Sequence, residues 1–256
     1  MALSKIKNLI KSIKIIKNWP YYIADYLHLI SRKNLVYCMR NGIKIKVRPK
    51  TCDRRVVGEI FLGNHYNPRG FDIKKCDTII DIGAHIGAFS LYSANLSKPG
   101  KVYSFEPTKE NYALLLENIR MNNNLQIIPI NKAVSDIKGV KEICISQSNT
   151  GGHSLISSLD DNFSTRYNIE TTTLPIFIKE NGINKIDLLK MDCEGSEYDI
   201  LFNCPDKYLK IITKISMEYH NIDNDHNSNK LKEFLISKGF NVESKGSRLG
   251  MLYAWR

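Results

Sequence analysis

The chain has 256 residues, enough for one α/β domain with an extension, and with 43% apolar residues it can fill a full core. Six cysteines (Cys38, Cys52, Cys76, Cys144, Cys193, Cys204) fall without Cys-x-x-Cys spacing, which argues against a zinc site or disulfide framework and for a reducing compartment. The net charge of +11 is lopsided: residues 1–55 hold fourteen Lys/Arg against Asp25 and Asp53, a net +12, and the rest sums to −1, so the basicity does not belong to a nucleic-acid cleft.

Residues 3–17 place Leu3, Ile6, Leu9, Ile10, Ile13 and Ile16 at helical spacing, with Lys5, Lys7, Lys11, Lys14 and Lys17 between them. This is a basic amphipathic helix. Its lysines break every early apolar stretch, which fits neither a cleavable signal peptide nor the ~18 apolar residues of a membrane span. Two readings stand for it: attachment to an anionic membrane through residues 1–20, or an apolar stripe docked on its own domain or on a second subunit. Trp19, Pro20, Tyr21 and Tyr22 break the pattern and start a second helical segment to about residue 30. Residues 36–39 and 43–47 flank Arg40-Asn41-Gly42, and Asn-Gly between alternating runs predicts a hairpin. Residues 51–72 read as irregular and bring polar Thr51, Asp53, Glu59, Tyr66 and Arg69. The expected division is a basic helical and hairpin extension over 1–50 and a catalytic domain over 51–256.

From residue 77 strands and helices alternate, the pattern of a doubly wound parallel sheet. Seven strands are expected, at 79–82, 101–105, 126–130, 186–191, 211–219, 240–243 and 249–255, with 140–145 as an extra arm. Helices are expected at 88–97, 111–122, 174–181, 196–202 and 230–238. Residues 146–173 read as a polar connection too long to be idle. Within it, residues 149–154, with Gly151, Gly152 and His153, read either as a lid over an acceptor or as an ordinary surface loop.

The run Thr78-Ile79-Ile80-Asp81-Ile82-Gly83-Ala84-His85-Ile86-Gly87 organises the domain. An apolar run ending in an acid and glycines is how a buried parallel strand delivers its chain to a ligand at the sheet's carboxyl edge. The Asp-x-Gly-x-x-x-Gly spacing departs from the three-glycine dinucleotide form. Gly83 permits a tight turn close to a ligand, and Gly87 lets the next helix pack close to the strand. Glu106 stands 23 residues after Gly83, at the end of the second strand. There it can accept hydrogen bonds from both ribose hydroxyls of an adenosine ligand, or face the dipole of the following helix.

Asp187 to Glu197 crowds charges around the end of a strand that should be buried, which is costly unless they pair or serve a polar site. The fifth strand ends in Met217-Glu218-Tyr219-His220. In a strand order of 3-2-1-4-5 the two ends are neighbours, and Lys190, Asp192, Glu218 and His220 converge beside the glycine loop.

Asp81 to Gly87, Phe105-Glu106-Pro107, Asn111-Tyr112, Ala133-Val134-Ser135-Asp136, Lys190 to Glu197 and Glu218-Tyr219-His220 occur in the order typical of the FkbM family of S-adenosylmethionine (SAM)-dependent methyltransferases. The chain resembles that family over residues 50–242. The resemblance implies an α/β fold, a Rossmann-like doubly wound seven-stranded class I methyltransferase sheet behind the N-terminal extension. It also implies SAM as cofactor and methyl transfer to a hydroxyl of a glycan, sugar or related small molecule. Carried onto this sequence, Asp81, Gly83, Ala84 and Gly87 shape the methionine end of the SAM pocket, and Glu106 holds the ribose. Ala133, Val134 and the two residues after them border the adenine, and Asp192 lies near the SAM ammonium or the acceptor. His85 stands where a related sequence often shows Asn, and its imidazole still hydrogen-bonds.

An alcohol acceptor needs a base as it attacks the methyl carbon. His220, with an intrinsic pKa near neutrality, is the expected base, oriented by Asp192 or Glu218; alternatively Asp192 is the base, or His220 is structural and pairs with Glu218. Asp192, Glu194 and Glu218 also suit a divalent cation, which neither spacing nor resemblance requires, so no metal is expected. Two other functions compete: a catalytically silent module docking on membrane or polyanion, and an RNA methyltransferase, against which the neutral catalytic body argues. The expected location is the cytoplasm, at the inner membrane face if the basic helix binds lipid.

Overall fold

The computed structural model describes residues 2–68, 70–146, 163–246 and 249–256; the expected lid at 149–154 lies outside them. Two helices, α1 (Ala2–Ile15) and α2 (Trp19–Tyr26), lead into a hairpin, β1 (Leu35–Cys38) and β2 (Lys44–Val47), and a helix, α3 (Asp53–Phe61). The alternation follows as β3 (Thr78–Ile82), α4 (Ala88–Ser97), β4 (Lys101–Phe105), α5 (Lys109–Arg120) and β5 (Ile127–Ile130). Next come β6 (Ala133–Val134), β7 (Gly139–Ser146), β8 (Phe163–Thr172), α6 (Leu174–Glu180) and β9 (Leu188–Met191). The chain ends with α7 (Glu197–Phe202), α8 (Asp206–Leu209), β10 (Lys214–His220), α9 (Ser228–Ser237), β11 (Asn241–Gly246) and β12 (Leu249–Trp255).

The main sheet has the order β11-β12-β10-β9-β3-β4-β5. β5, β4, β3, β9 and β10 run parallel, and β12 lies antiparallel between β10 and β11. This is the expected seven-stranded doubly wound sheet, with its switch of strand order between β3 and β9, where such sheets open a crevice at their carboxyl edge. Ile79 and Ile80 of β3 and Leu188 and Leu189 of β9 are buried because both faces are covered. One face packs Ile16, Tyr22, Tyr37, Ile45, Val57 and Phe89; the other packs Phe105, Phe177, Tyr198 and Met217. The N-terminal helices and hairpin therefore share a core with the sheet. β2 is also tied to α5: Asn118 exchanges hydrogen bonds with Lys46 N (2.6 Å) and O (3.1 Å), and Asn122 with Lys44 N (3.0 Å) and O (2.6 Å). Two side-chain amides thus do for the free edge of β2 what a neighbouring strand would.

Besides the short β6 and α8, which are not expected, two longer elements depart from the sequence reading. Residues 53–61, expected to be irregular, form α3 and bury Val57, Ile60 and Phe61. Residues 163–172, read as connection, form β8, which pairs with β7 from Gly139↔Thr171 to Ser146↔Phe163 and with β6 in a second sheet. On the last two turns of α1, Ser12 is buried and Ile16 behind it is buried, whereas Ile10 is 55% and Ile13 40% exposed.

Candidate active site

A cavity of about 330 Å³ opens at the carboxyl edge of β3, β4, β9 and β10, lined among others by Gly83, Glu106, Val134, Asp192 and Glu218. Ala84, His85 and Ala133 also face it. Asp81, Gly87 and His220 do not line it.

The loop after β3 turns through Gly83 at φ +78° and Gly87 at φ +85°. A Cβ at Gly83 would stand 1.8 Å from the Asp192 carbonyl oxygen, and one at Gly87 would stand 2.5 Å from Leu115 Cδ1. Gly83 is therefore required by the end of β9, and Gly87 by Leu115 of α5. Asp81 is fully buried and turned inward, accepting from Ser90 Oγ at 2.6 Å and pairing with Lys190 Nζ at 3.0 Å. Lys190 Nζ also donates to Gly83 O at 2.7 Å and lies 5.0 Å from the Tyr66 ring centre. Burial works against the Lys190 charge, yet Asp81 and Asp192 together outweigh it and raise its pKa. Asp81 thus reaches the glycine loop through Lys190.

Glu106 is buried where β4 ends. Its Oε1 accepts from Thr108 N at 2.9 Å and Thr108 Oγ1 at 2.5 Å, and its Oε2 from His85 N at 2.9 Å. Burial raises its pKa, opposed by these donors. The carboxylate is held in one orientation against the cavity. Asp136, expected beside the adenine, pairs with Lys141 at 2.6 Å.

The other wall is rich in acids. Asp192 accepts from Tyr66 Oη at 2.8 Å, and Glu59 and Arg55 of α3 line the same space. Burial and the Asp192 charge push Tyr66 well above its ordinary pKa, so it remains a hydroxyl donor. Burial, then Asp192, raise Glu218 to about 8. His220 turns away to Glu194 (Nε2 to Oε2, 3.1 Å) and Glu197 (Nδ1 to Oε1, 3.7 Å). Burial lowers its pKa, but those two carboxylates outweigh burial and raise it to about 11. Its ion-pair partners are thus Glu194 and Glu197, not the expected Asp192 or Glu218, and they favour the protonated ring over the free base. Burial raises Glu194 and Glu218, and the single imidazolium beside them offsets it only in part. Sequence reasoning missed Tyr66 as a partner of Asp192, because no spacing links positions 126 residues apart.

The Methyltransferase FkbM domain matches residues 81–242, from β3 into β11, including the cavity walls formed by β4, β9 and β10. The chain belongs to the FkbM methyltransferase family. It is 30% identical over 196 residues to the 31-O-demethyl-FK506 methyltransferase FkbM of Streptomyces tacrolimicus, across 64% of this chain and 74% of that protein. It is 25% identical over 230 residues to the AMB antimetabolite synthetase AmbE of Pseudomonas aeruginosa, across 76% of this chain but only 11% of AmbE. Among solved structures, fibrillarin of Aeropyrum pernix with natively bound S-adenosyl-L-methionine aligns at a TM-score of 0.47 and 13% identity, over 87% of this chain and 94% of that one. The FkbM-family region is a SAM-dependent methyltransferase domain, and its cofactor is SAM.

Proposed function

We propose that this FkbM-family chain is an O-methyltransferase whose acceptor is a hydroxyl of a glycan, sugar or related small molecule, with Glu218 as general base. SAM, when bound, supplies an electrophilic methyl group. The residues suit it: Glu106 offers a buried, oriented carboxylate to the ribose hydroxyls, Ala133 and Val134 an apolar surface to the adenine, and Asp192 a negative charge to the cationic end. The observation that carries the reading is that Asp192 and Glu218 line the same cavity as Glu106, whereas His220 does not line it and is paired with Glu194. An alcohol is a weak nucleophile, and a carboxylate of raised pKa is a better base for it than an ordinary one. Asp192, fixed by Tyr66, orients the acceptor hydroxyl towards Glu218.

Calorimetric titration should show SAM binding, weakened about tenfold or more in Glu106→Ala, since hydrogen bonds to a charged group are lost. Absence of heat at high-micromolar SAM removes the cofactor assignment. Label transferred from methyl-labelled SAM should appear as an O-methyl ether in a screen of sugar precursors and hydroxylated small molecules. Label in RNA instead, or SAM binding without transfer to any acceptor, would turn the reading to RNA methylation or to a silent docking module.

We propose in addition a peripheral contact with an anionic membrane through residues 1–20. Ile10 and Ile13 are exposed on the side that carries Lys14, with Lys17 exposed one turn on, and Ser12 and Ile16 face the body. An outward face of isoleucine and lysine is what an interfacial helix presents. Among the described residues no helix is long and apolar enough to cross a membrane. The full chain should sediment with vesicles containing anionic lipid and be released at roughly 0.5 M salt, where charges are screened within a few Å. Ile10→Ser with Ile13→Ser should abolish sedimentation; unchanged binding returns the helix to a structural role.

A further inference from the structure

The end of the hairpin and the start of α3 reach the glycine loop through one cluster. Arg48 follows β2, and Asp53 opens α3. The fully buried Asp53 carboxylate accepts from Arg48 N at 2.8 Å, Arg48 Nε at 2.9 Å and Arg48 Nη2 at 2.8 Å. The same Nη2 donates to Asn111 Oδ1 at 2.8 Å, in the first turn of α5, and lies 3.5 Å from His85 Nε2. His85 Nε2 is 3.4 Å from Asp53 Oδ1 and 3.8 Å from Cys52 Sγ. One guanidinium therefore joins the hairpin, α3 and α5 around a single imidazole of the cofactor loop. Cys52, Asp53 and His85 bring ligating atoms within 4.8 Å, the dimensions of a small cation site. The permanent charge of Arg48 already occupies that position, forked onto Asp53, which makes the cluster an ion-pair network and not a metal centre. Although burial disfavours its charge, Arg48 and His85 hold Asp53 below the usual carboxylate range.

His85 is the reason the cluster matters. It adopts φ +52°, a left-handed conformation that a residue other than glycine keeps only where its surroundings impose it. In that conformation its N–H reaches Glu106 Oε2 at 2.9 Å. We infer that Arg48 and Asp53, both outside the matched region 81–242, are positioning residues for the cofactor: Asp53, fixed by the Arg48 fork, holds the His85 ring at Nε2 and keeps its backbone N–H aimed at Glu106, and so holds Glu106 in the orientation that meets the ribose. With the ring released, the peptide relaxes to negative φ and swings the N–H off Glu106. Glu106 then keeps only its Thr108 donors and loses its fixed direction. The inference rests on Glu106 holding the ribose.

The test compares S-adenosylhomocysteine with its 2′-deoxyribose analogue by calorimetry. Wild type should prefer the ribose form about tenfold or more, the value of a hydrogen bond to a charged group. Arg48→Gln and Asp53→Asn should weaken the ribose form about tenfold and leave the deoxy form nearly unchanged, so that the preference collapses. Arg48→Lys, which keeps the charge without the fork and is the variant to use if the others do not fold, should fall between. A general loosening of the fold weakens both ligands alike and leaves their ratio intact. Ribose preference that survives all three substitutions overturns the inference alone; a wild type with no ribose preference removes the Glu106 assignment and the inference with it.

Discussion

Glu218→Gln should abolish methyl transfer and, in alkaline solution, make the protein more stable. General base catalysis is worth about 10²–10⁴ in rate, so turnover on the acceptor found by the label screen should fall by that factor, with SAM affinity retained. Glu218 titrates near 8 in the folded protein because burial and the Asp192 charge disfavour its anion. As a base it acts deprotonated, so kcat/KM of the wild type should rise as pH passes through 8 and level off above, and this limb should vanish in the variant. The effect on stability has the opposite sign. Between the ordinary 4.5 and about 8 the folded state retains a proton that the unfolded chain has released. Stability therefore falls as pH rises through that window and is lowest above it. Glutamine is neutral throughout, so the variant should gain about 2 °C or more in Tm at a pH near 8.5, where ~1 kcal/mol corresponds to 2–4 °C for a chain of this size. Below the ordinary carboxylate pKa the two proteins should melt together. Turnover within tenfold of wild type, with the limb unmoved, would assign the base to another group.

What could be read in advance, and what could not, divides along the range of the interactions. α4 and β4 fall at the expected residues, and β3 begins one residue early, because a buried strand, a glycine turn and an apolar helix are written in neighbouring positions. The lysine–aspartate spacing at the end of β9 correctly announced charges at a buried strand end. α3 was hidden because Asp53-Arg54-Arg55 opens it with three charges and Gly58 interrupts it, leaving the stripe of Val57, Ile60 and Phe61 too short to register. β8 was hidden because alternate residues, among them Arg166, Asn168 and Glu170, sit in a polar context that also suits a loop. Side-chain partners were the least legible part. Asp192 or Glu218 is the expected partner of His220, yet His220 pairs with Glu194 and Glu197 from the turn and helix after β9. Such choices are made by tertiary packing between parallel strands, and no period in the sequence records them.

The second large effect is expected at Lys190. The residue is 3% exposed, and its ammonium pairs with a fully buried Asp81 and donates to Gly83 O, so it both neutralises a core charge and pins the glycine loop. Lys190→Met keeps most of the length and an apolar stem but leaves the Asp81 carboxylate buried with Ser90, among the described residues, as its side-chain donor. Breaking a buried pair from one side costs about 3–5 kcal/mol, a large share of the 5–15 kcal/mol that holds a typical domain folded. Tm should fall by roughly 6–20 °C. Asp81→Asn added to Lys190→Met removes the stranded charge and should restore much of that loss, since replacing both members of a buried pair is far milder than deleting one. Binding should not follow. The Gly83 carbonyl lacks its ammonium in both proteins, so S-adenosylhomocysteine affinity should stay low in the double variant even where Tm recovers. Melting curves and calorimetric titrations on wild type, Lys190→Met, Asp81→Asn and the double variant measure the two effects separately. Recovery of affinity together with Tm would show that Lys190 serves only the fold. A single variant melting within about 2 °C of wild type would show that the pair carries little of the core's stability, because that shift corresponds to under ~1 kcal/mol.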